Sequence, residues 1–225
     1  MRSVVVLVGL VGCAKGSSLF GQSDAPPQVD ALRVDATENF TDAPHADAAM
    51  ADAAMCTPAT TELLVNPVFD ATPMGTGWQQ TPIDPAYPLI TNQNGITAQS
   101  APYKAWLGGI EDGTDKLWQD VTVPANTTAL VLTGYYAVGT DEDPSDTNVY
   151  DTGSLALTQT NDTVIATVLN LSNRTTTTAW TAINNSFGQN LSGMTVRVRM
   201  TTSNDILNPT SFYFDTFSLK ATHCP

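Results

Sequence analysis

The segment "MTVRVRMT", residues 194 to 201, alternates strictly: Met194, Val196, Val198 and Met200 fall on one side, Thr195, Arg197, Arg199 and Thr201 on the other. A period of two is the signature of a half-buried β-strand. Comparable patterns predict strands over 116–123, 128–138, 153–160, 163–171, 178–183 and 211–221, each bounded by turn-forming residues. No segment sustains a 3.6-residue period. Many short strands without intervening helices, rich in Thr, Val, Asn and Gly, predict an all-β fold, an antiparallel β-sandwich spanning residues 56–225. A domain of about 170 residues buries around 70% of its unfolded surface, enough for a self-sufficient core.

Upstream, the pattern changes twice. Val4 to Gly12 is apolar, follows the basic Arg2 and ends at Cys13. It is far short of the roughly 20 residues that span a bilayer as a helix, and has the make-up of an export signal, residues 1–12. Leu10-Val11-Gly12-Cys13 resembles the lipobox of bacterial lipoproteins, which implies that Cys13 is acylated and begins the mature chain. From Ala14 to Met55 large apolar residues are scarce and Asp-Ala recurs at Asp24, Asp30, Asp35, Asp42, Asp47 and Asp52. Such a stretch has too little to bury to offset the entropy of ordering, so residues 13–55 are expected to form a lipidated, disordered tether. Two or more acyl chains would hold the chain on a membrane, the only membrane contact expected.

With Cys13 assigned to lipid, Cys56 and Cys224 bracket the sandwich of an exported protein, where disulfides persist. They are expected to pair, with two free thiols as the alternative. In the chain-entropy model a loop this long contributes about 4 to 5 kcal/mol as an upper figure.

A second similarity covers nearly the whole domain. "ELLVNPVFDATPMGTGWQQT", "KAWLGGIEDGTDKLWQDVTVPANTTALVLTGYYA", "VYDTGSLALTQ", "TTAWTAINNSFGQNLSGMTVRVRMTT" and "TSFYFDTFSL" resemble, in order, the galactose-binding-like jelly-roll modules appended to secreted bacterial peptidases and carbohydrate enzymes. The resemblance implies a jelly roll, core positions for Trp78, Trp106 and Trp180, and a structural calcium ion held by Asn66, Asp70 and Asp215. Two residues depart from the pattern: Asp70 stands where Glu is usual, and Thr216 replaces a second Asp. The parity of "SFYFDTFSL" carries Tyr213, Asp215, Phe217 and Leu219 to one side, which predicts a buried Asp215. Such a carboxylate needs compensation from an ion or from backbone amides.

Charge narrows the chemistry further. Nine Lys and Arg against twenty-two Asp and Glu, a net charge of −13, repel phosphate backbones and exclude nucleic acid as a natural partner. His45 lies in the tether and His223 beside Cys224, so the sandwich lacks an imidazole base, and Glu62, Glu111 and Glu142 form no recognisable catalytic pair. The chain is therefore read as a non-enzyme. The acidic runs Glu111, Asp112, Asp115 and Asp141, Glu142, Asp143, Asp146 read as solvated loops, with a second calcium site as the lesser alternative. For binding, sugar faces stack on aromatic rings while polar side chains take the hydroxyls. Trp118, alternating out of the Leu117, Gln119, Val121 face together with Asp120, is the first candidate platform, with Tyr87 and Tyr103 as accessories. The expected partner is a glycan or another cell-envelope component. The rival is a structural or adhesive lipoprotein that contacts proteins and binds no sugar.

Overall fold

The computed structural model describes residues 56–177 and 179–225. The signal peptide, Cys13 and the tether lie outside the described residues. Eleven strands follow in chain order: β1 Ala59–Glu62, β2 Gln79–Thr81, β3 Ile90–Thr91, β4 Lys104–Gly108, β5 Lys116–Thr122, β6 Thr127–Thr140, β7 Thr152–Thr158, β8 Val164–Ser172, β9 Thr181–Phe187, β10 Thr195–Ser203 and β11 Thr210–His223. Among the described residues there is no helix. All pairings are antiparallel and build two sheets, one ordered β3-β4-β11-β6-β9 with β1 also on β11, the other β2-β5-β10-β7-β8.

The expected all-β sandwich is what forms, and the seven strands read from alternation are all present. β1 to β4 escape that reading because they are two to five residues long, too short to display a period. β10 shows why alternation works: Val196, Val198 and Met200 are wholly buried while Arg197 and Arg199 face out. Phe69, Phe212, Phe214 and Phe217 anchor the layer between the sheets. Burying one such ring contributes about 1.5–3 kcal/mol. Gly153 is required beneath Phe212, since a Cβ there would lie 2.6 Å from the ring.

β11 corrects one expectation. Its pairing with β6 shifts register between Asp215 and Ser218, and Thr216 adopts a left-handed φ of 53°. This bulge inserts one residue and reverses parity. Phe212 and Phe214 therefore enter the core before the bulge, and Phe217, Leu219 and Ala221 after it. Tyr213 and Asp215 are carried to the opposite face. They are buried there by the loop 92–103, which is held by Trp180 Nε1 donating to the Thr97 carbonyl at 2.9 Å and by Lys104 Nζ donating to the Gln93 carbonyl at 2.7 Å. Trp180 and Trp106 consequently stand on the outer side of this sheet rather than in the core. Trp78 is the one tryptophan packed as expected, 5.0 Å from Phe69.

The Cys56–Cys224 disulfide is present, with Cα atoms 5.7 Å apart. The register Ala59↔His223 explains it: β1 runs back along the end of β11 and brings both termini of the domain side by side.

Candidate functional site

Two loops, 82–89 between β2 and β3 and 109–115 between β4 and β5, enclose a cavity of about 380 Å³ beside the outer edge of β4. Asp84 starts the first loop: its carboxylate accepts the Ala86 amide at 2.9 Å and its carbonyl accepts the Tyr87 amide at 3.0 Å, a turn that projects Tyr87 outward with 52% of its surface exposed. Asp115 fastens the loops together, accepting the amides of Ile83 at 2.6 Å and Gly108 at 2.7 Å. Burial pushes its pKa up, and the two amides oppose that shift. Gly108 must be glycine: φ is 71° and a Cβ would meet the Thr210 carbonyl at 2.3 Å. Trp106 also lines the cavity, its indole N–H donated to Ser211 Oγ at 3.0 Å, its ring 5.4 Å from Tyr213 and its centre 5.8 Å from Lys104 Nζ. Ile83, Pro88 and Ile110 complete an apolar wall, and Thr91 and Gln93 add polar groups. A concave, mainly apolar chamber with a few converging polar groups is the usual form of a small-ligand site.

Trp118 and Asp120 occupy the outer face of β5, as alternation implies, but Trp118 is not a free platform. Lys116 Nζ lies 4.7 Å and the Arg197 guanidinium 5.3 Å from its ring centre. Arg197 is gripped by Asp120 at 2.6 Å and by Asp162 at 2.7 Å, while Lys116 pairs with Asp162 at 2.5 Å. The Lys116 hydrogen bond, with help from Arg197, holds the Asp162 carboxyl at about 2, and Asp120 raises the Arg197 guanidinium. The ring is thus occupied by the protein's own cations. Tyr103 is half-buried, packs against the core and donates its amide to Asp70 at 3.1 Å, on the far side of β4 from this face. The four predicted ligand residues are therefore dispersed, and only Tyr87 reaches the cavity.

Asn66, Asp70 and Asp215 lie in one neighbourhood but satisfy each other's surroundings without a cation. Asp215, wholly buried, accepts the amides of Gln99 at 2.7 Å, Ser100 at 3.0 Å and Thr216 at 2.6 Å. Asp70 accepts Ser100 Oγ at 2.8 Å in addition to Tyr103, and Asn66 accepts the Ala71 amide at 2.9 Å while donating to the Thr76 carbonyl. The Asp215 oxygens are filled by amides, a poor fit for a calcium ligand. Burial, with the nearby Asp70 charge, still raises its pKa to about 6.

A different acidic group could hold a metal ion: Glu142, Asp151 and Asp205 bring carboxylate oxygens within 4.8 Å of one another. Two loop acids read as solvated, Asp115 and Glu142, are in fact 2% and 9% exposed. Their burial is made by chain segments distant in sequence, so no local signal announced it. Asp205 is not singled out by any sequence pattern.

The sequence matches no family model and none of the curated proteins. Solved structures do resemble this one. A family 61 carbohydrate-binding module, TmCBM61, in complex with β-1,4-galactotriose aligns with a TM-score of 0.51 at 14% identity, over 71% of this chain and 97% of that one. The second family 16 carbohydrate-binding module gives 0.41 at 20% identity, over 70% and 98%. An arabinose-bound MgGH51 α-L-arabinofuranosidase gives 0.47 at 16% identity, over 71% of this chain and 26% of the enzyme, so this chain spans about a quarter of it. At these identities the likeness concerns the fold: the chain shares the β-sandwich fold of TmCBM61.

Proposed function

We propose that this chain is a non-catalytic glycan-binding module, displayed at the bacterial cell envelope by acyl chains on Cys13 and the Ala/Asp-rich tether. The observation that carries this reading is the mainly apolar loop cavity lined by both the exposed Tyr87 and Trp106. Sugar C–H faces pack on such rings, and Asp84, Thr91 and Gln93 stand ready for hydroxyls. The bound galactotriose of TmCBM61, on the same fold, supports the ligand class. A chain of net charge −13 repels anionic polymers, which favours neutral glycans. Catalysis is disfavoured by the cavity's own acids: Asp115 is spent on two backbone amides, leaving Asp84 without the second working carboxyl that glycoside hydrolysis needs.

A glycan array followed by calorimetry tests the reading. Tyr87→Ala is expected to weaken binding by about tenfold, the worth of one stacked ring, whereas Trp118→Ala retains it because that ring is taken by Lys116 and Arg197. Silence across all glycans would favour a structural or adhesive lipoprotein contacting proteins, a reading to which the exposed Ile206 and Leu207, at 63% and 61%, lend some support.

A further inference from the structure

Glu142 follows the end of β6, Asp151 immediately precedes β7, and Asp205 follows the end of β10. The loops they sit on, 141–151 and 204–209, both cross between the sheets, β6 to β7 and β10 to β11. Asp205 donates its amide to Asp151 Oδ1 at 2.8 Å, which already draws the loops together. The other oxygen of Asp151, Oδ2, has no hydrogen-bond partner although the residue is 0% exposed. Natural structures rarely leave a buried carboxylate oxygen unpaired. Among the described residues no ion pair reaches it: the four that form use Lys116, Arg197 or Arg199, on the outer face of the β5/β10 sheet, and Arg174, the cation bound to loop 141–151, is spent on the Asp143 and Pro144 carbonyls. Glu142 is itself buried, at 9% exposure, and shares this corner with Asp151 and Asp205.

We propose that Glu142, Asp151 and Asp205 bind a calcium ion that staples the two sheet-crossing loops to each other. Three carboxylate oxygens without His or Cys are hard ligands suited to calcium or magnesium rather than a transition metal. The three carboxylates are close enough for one ion to touch all of them, and calcium accepts irregular coordination by carboxylates on flexible loops, whereas magnesium demands near-ideal octahedral geometry and keeps several waters. This inference is independent of the glycan reading, since neither loop lines the cavity.

The test is calorimetric titration of the chelator-stripped full chain with CaCl2, alongside thermal melting in CaCl2 and in EDTA. One calcium per chain is expected, with a melting temperature several degrees higher at millimolar calcium. Glu142→Gln and Asp205→Asn should each weaken binding at least tenfold, their folding confirmed by cooperative melting in EDTA, while Asp70→Asn leaves binding unchanged. No heat of binding with identical wild-type melting curves overturns the proposal. So does binding that survives in both triad variants, or that disappears in Asp70→Asn.

Discussion

Asp215 and Asp151 are equally buried, each at 0% exposure, yet their carboxylates are treated in opposite ways. Asp215 lies under the loop 92–103 and receives three backbone amides. Asp151 receives one, keeps an oxygen unpartnered, and faces two further acids. The difference teaches that burial alone does not mark an ion site; the supply of donors does. Around Asp215 the chain folds its own amides onto the acid and uses them to pin a loop. Around Asp151 the donors run out, and among the described residues its second oxygen has no hydrogen-bond partner. Asp162 shows a third solution, compensation by Lys116 and Arg197 on an open sheet face.

The strongest way to break this contrast is Asp215→Ala. It orphans three amides and unpins loop 92–103, at an expected cost of about 3 kcal/mol, or roughly 6–12 °C in melting temperature. The pH dependence follows from the raised pKa. The unfolded chain releases this proton near pH 4, the folded chain only near 6, so the stability contributed by Asp215 is full below about 4 and declines as pH rises to about 6. The melting gap between wild type and Asp215→Ala should therefore be widest at pH 4 and narrow by pH 7; a gap that widens with pH would contradict the assignment.

Asp162→Asn probes compensation by cations. Its side chain is 36% exposed, so solvent screening limits the expected loss to about 0.5–1 kcal/mol near neutral pH. The Asp162 carboxyl is held at about 2, so its contribution is present above about pH 4 and lost as pH falls toward 2. Paired melts at pH 7 and pH 2 check this, with the difference vanishing at the lower value. The smallest effect has the opposite sign. In EDTA, Glu142→Gln removes one of three crowded charges and should raise the melting temperature slightly. A clear fall would mean that the triad is already compensated from within, erasing the distinction from Asp215.

Much of the sandwich could be read from alternation because one side of most strands faces the core, and β10 and β5 keep that alternation without interruption. The reading failed at β11, where the Thr216 bulge moves Tyr213 and Asp215 to the other face; a single backbone torsion carries no compositional mark. Trp118 was placed on the correct face but given the wrong surroundings. Lys116, two residues before it on β5, shares its face by alternation, but Arg197 and Arg199 come from β10 through strand pairing, and pairing order is not written in any one strand. Tyr87 could be singled out as an aromatic in a Pro-rich loop. Its companion Trp106 could not, because the cavity exists only once loops 82–89 and 109–115 meet through Asp115.

The sequence by itself determined which residues pair with water and which with each other along a strand, and hence the class of fold and the meeting of Cys56 with Cys224 at the ends of the domain. Those are consequences of local periodicity and chain order. The tertiary structure decided which acids are answered by amides, which by cations and which by nothing, and which aromatic ring stands open. Compensation of a buried charge depends on donors contributed by segments far apart in the chain, and only folding brings them within hydrogen-bonding distance.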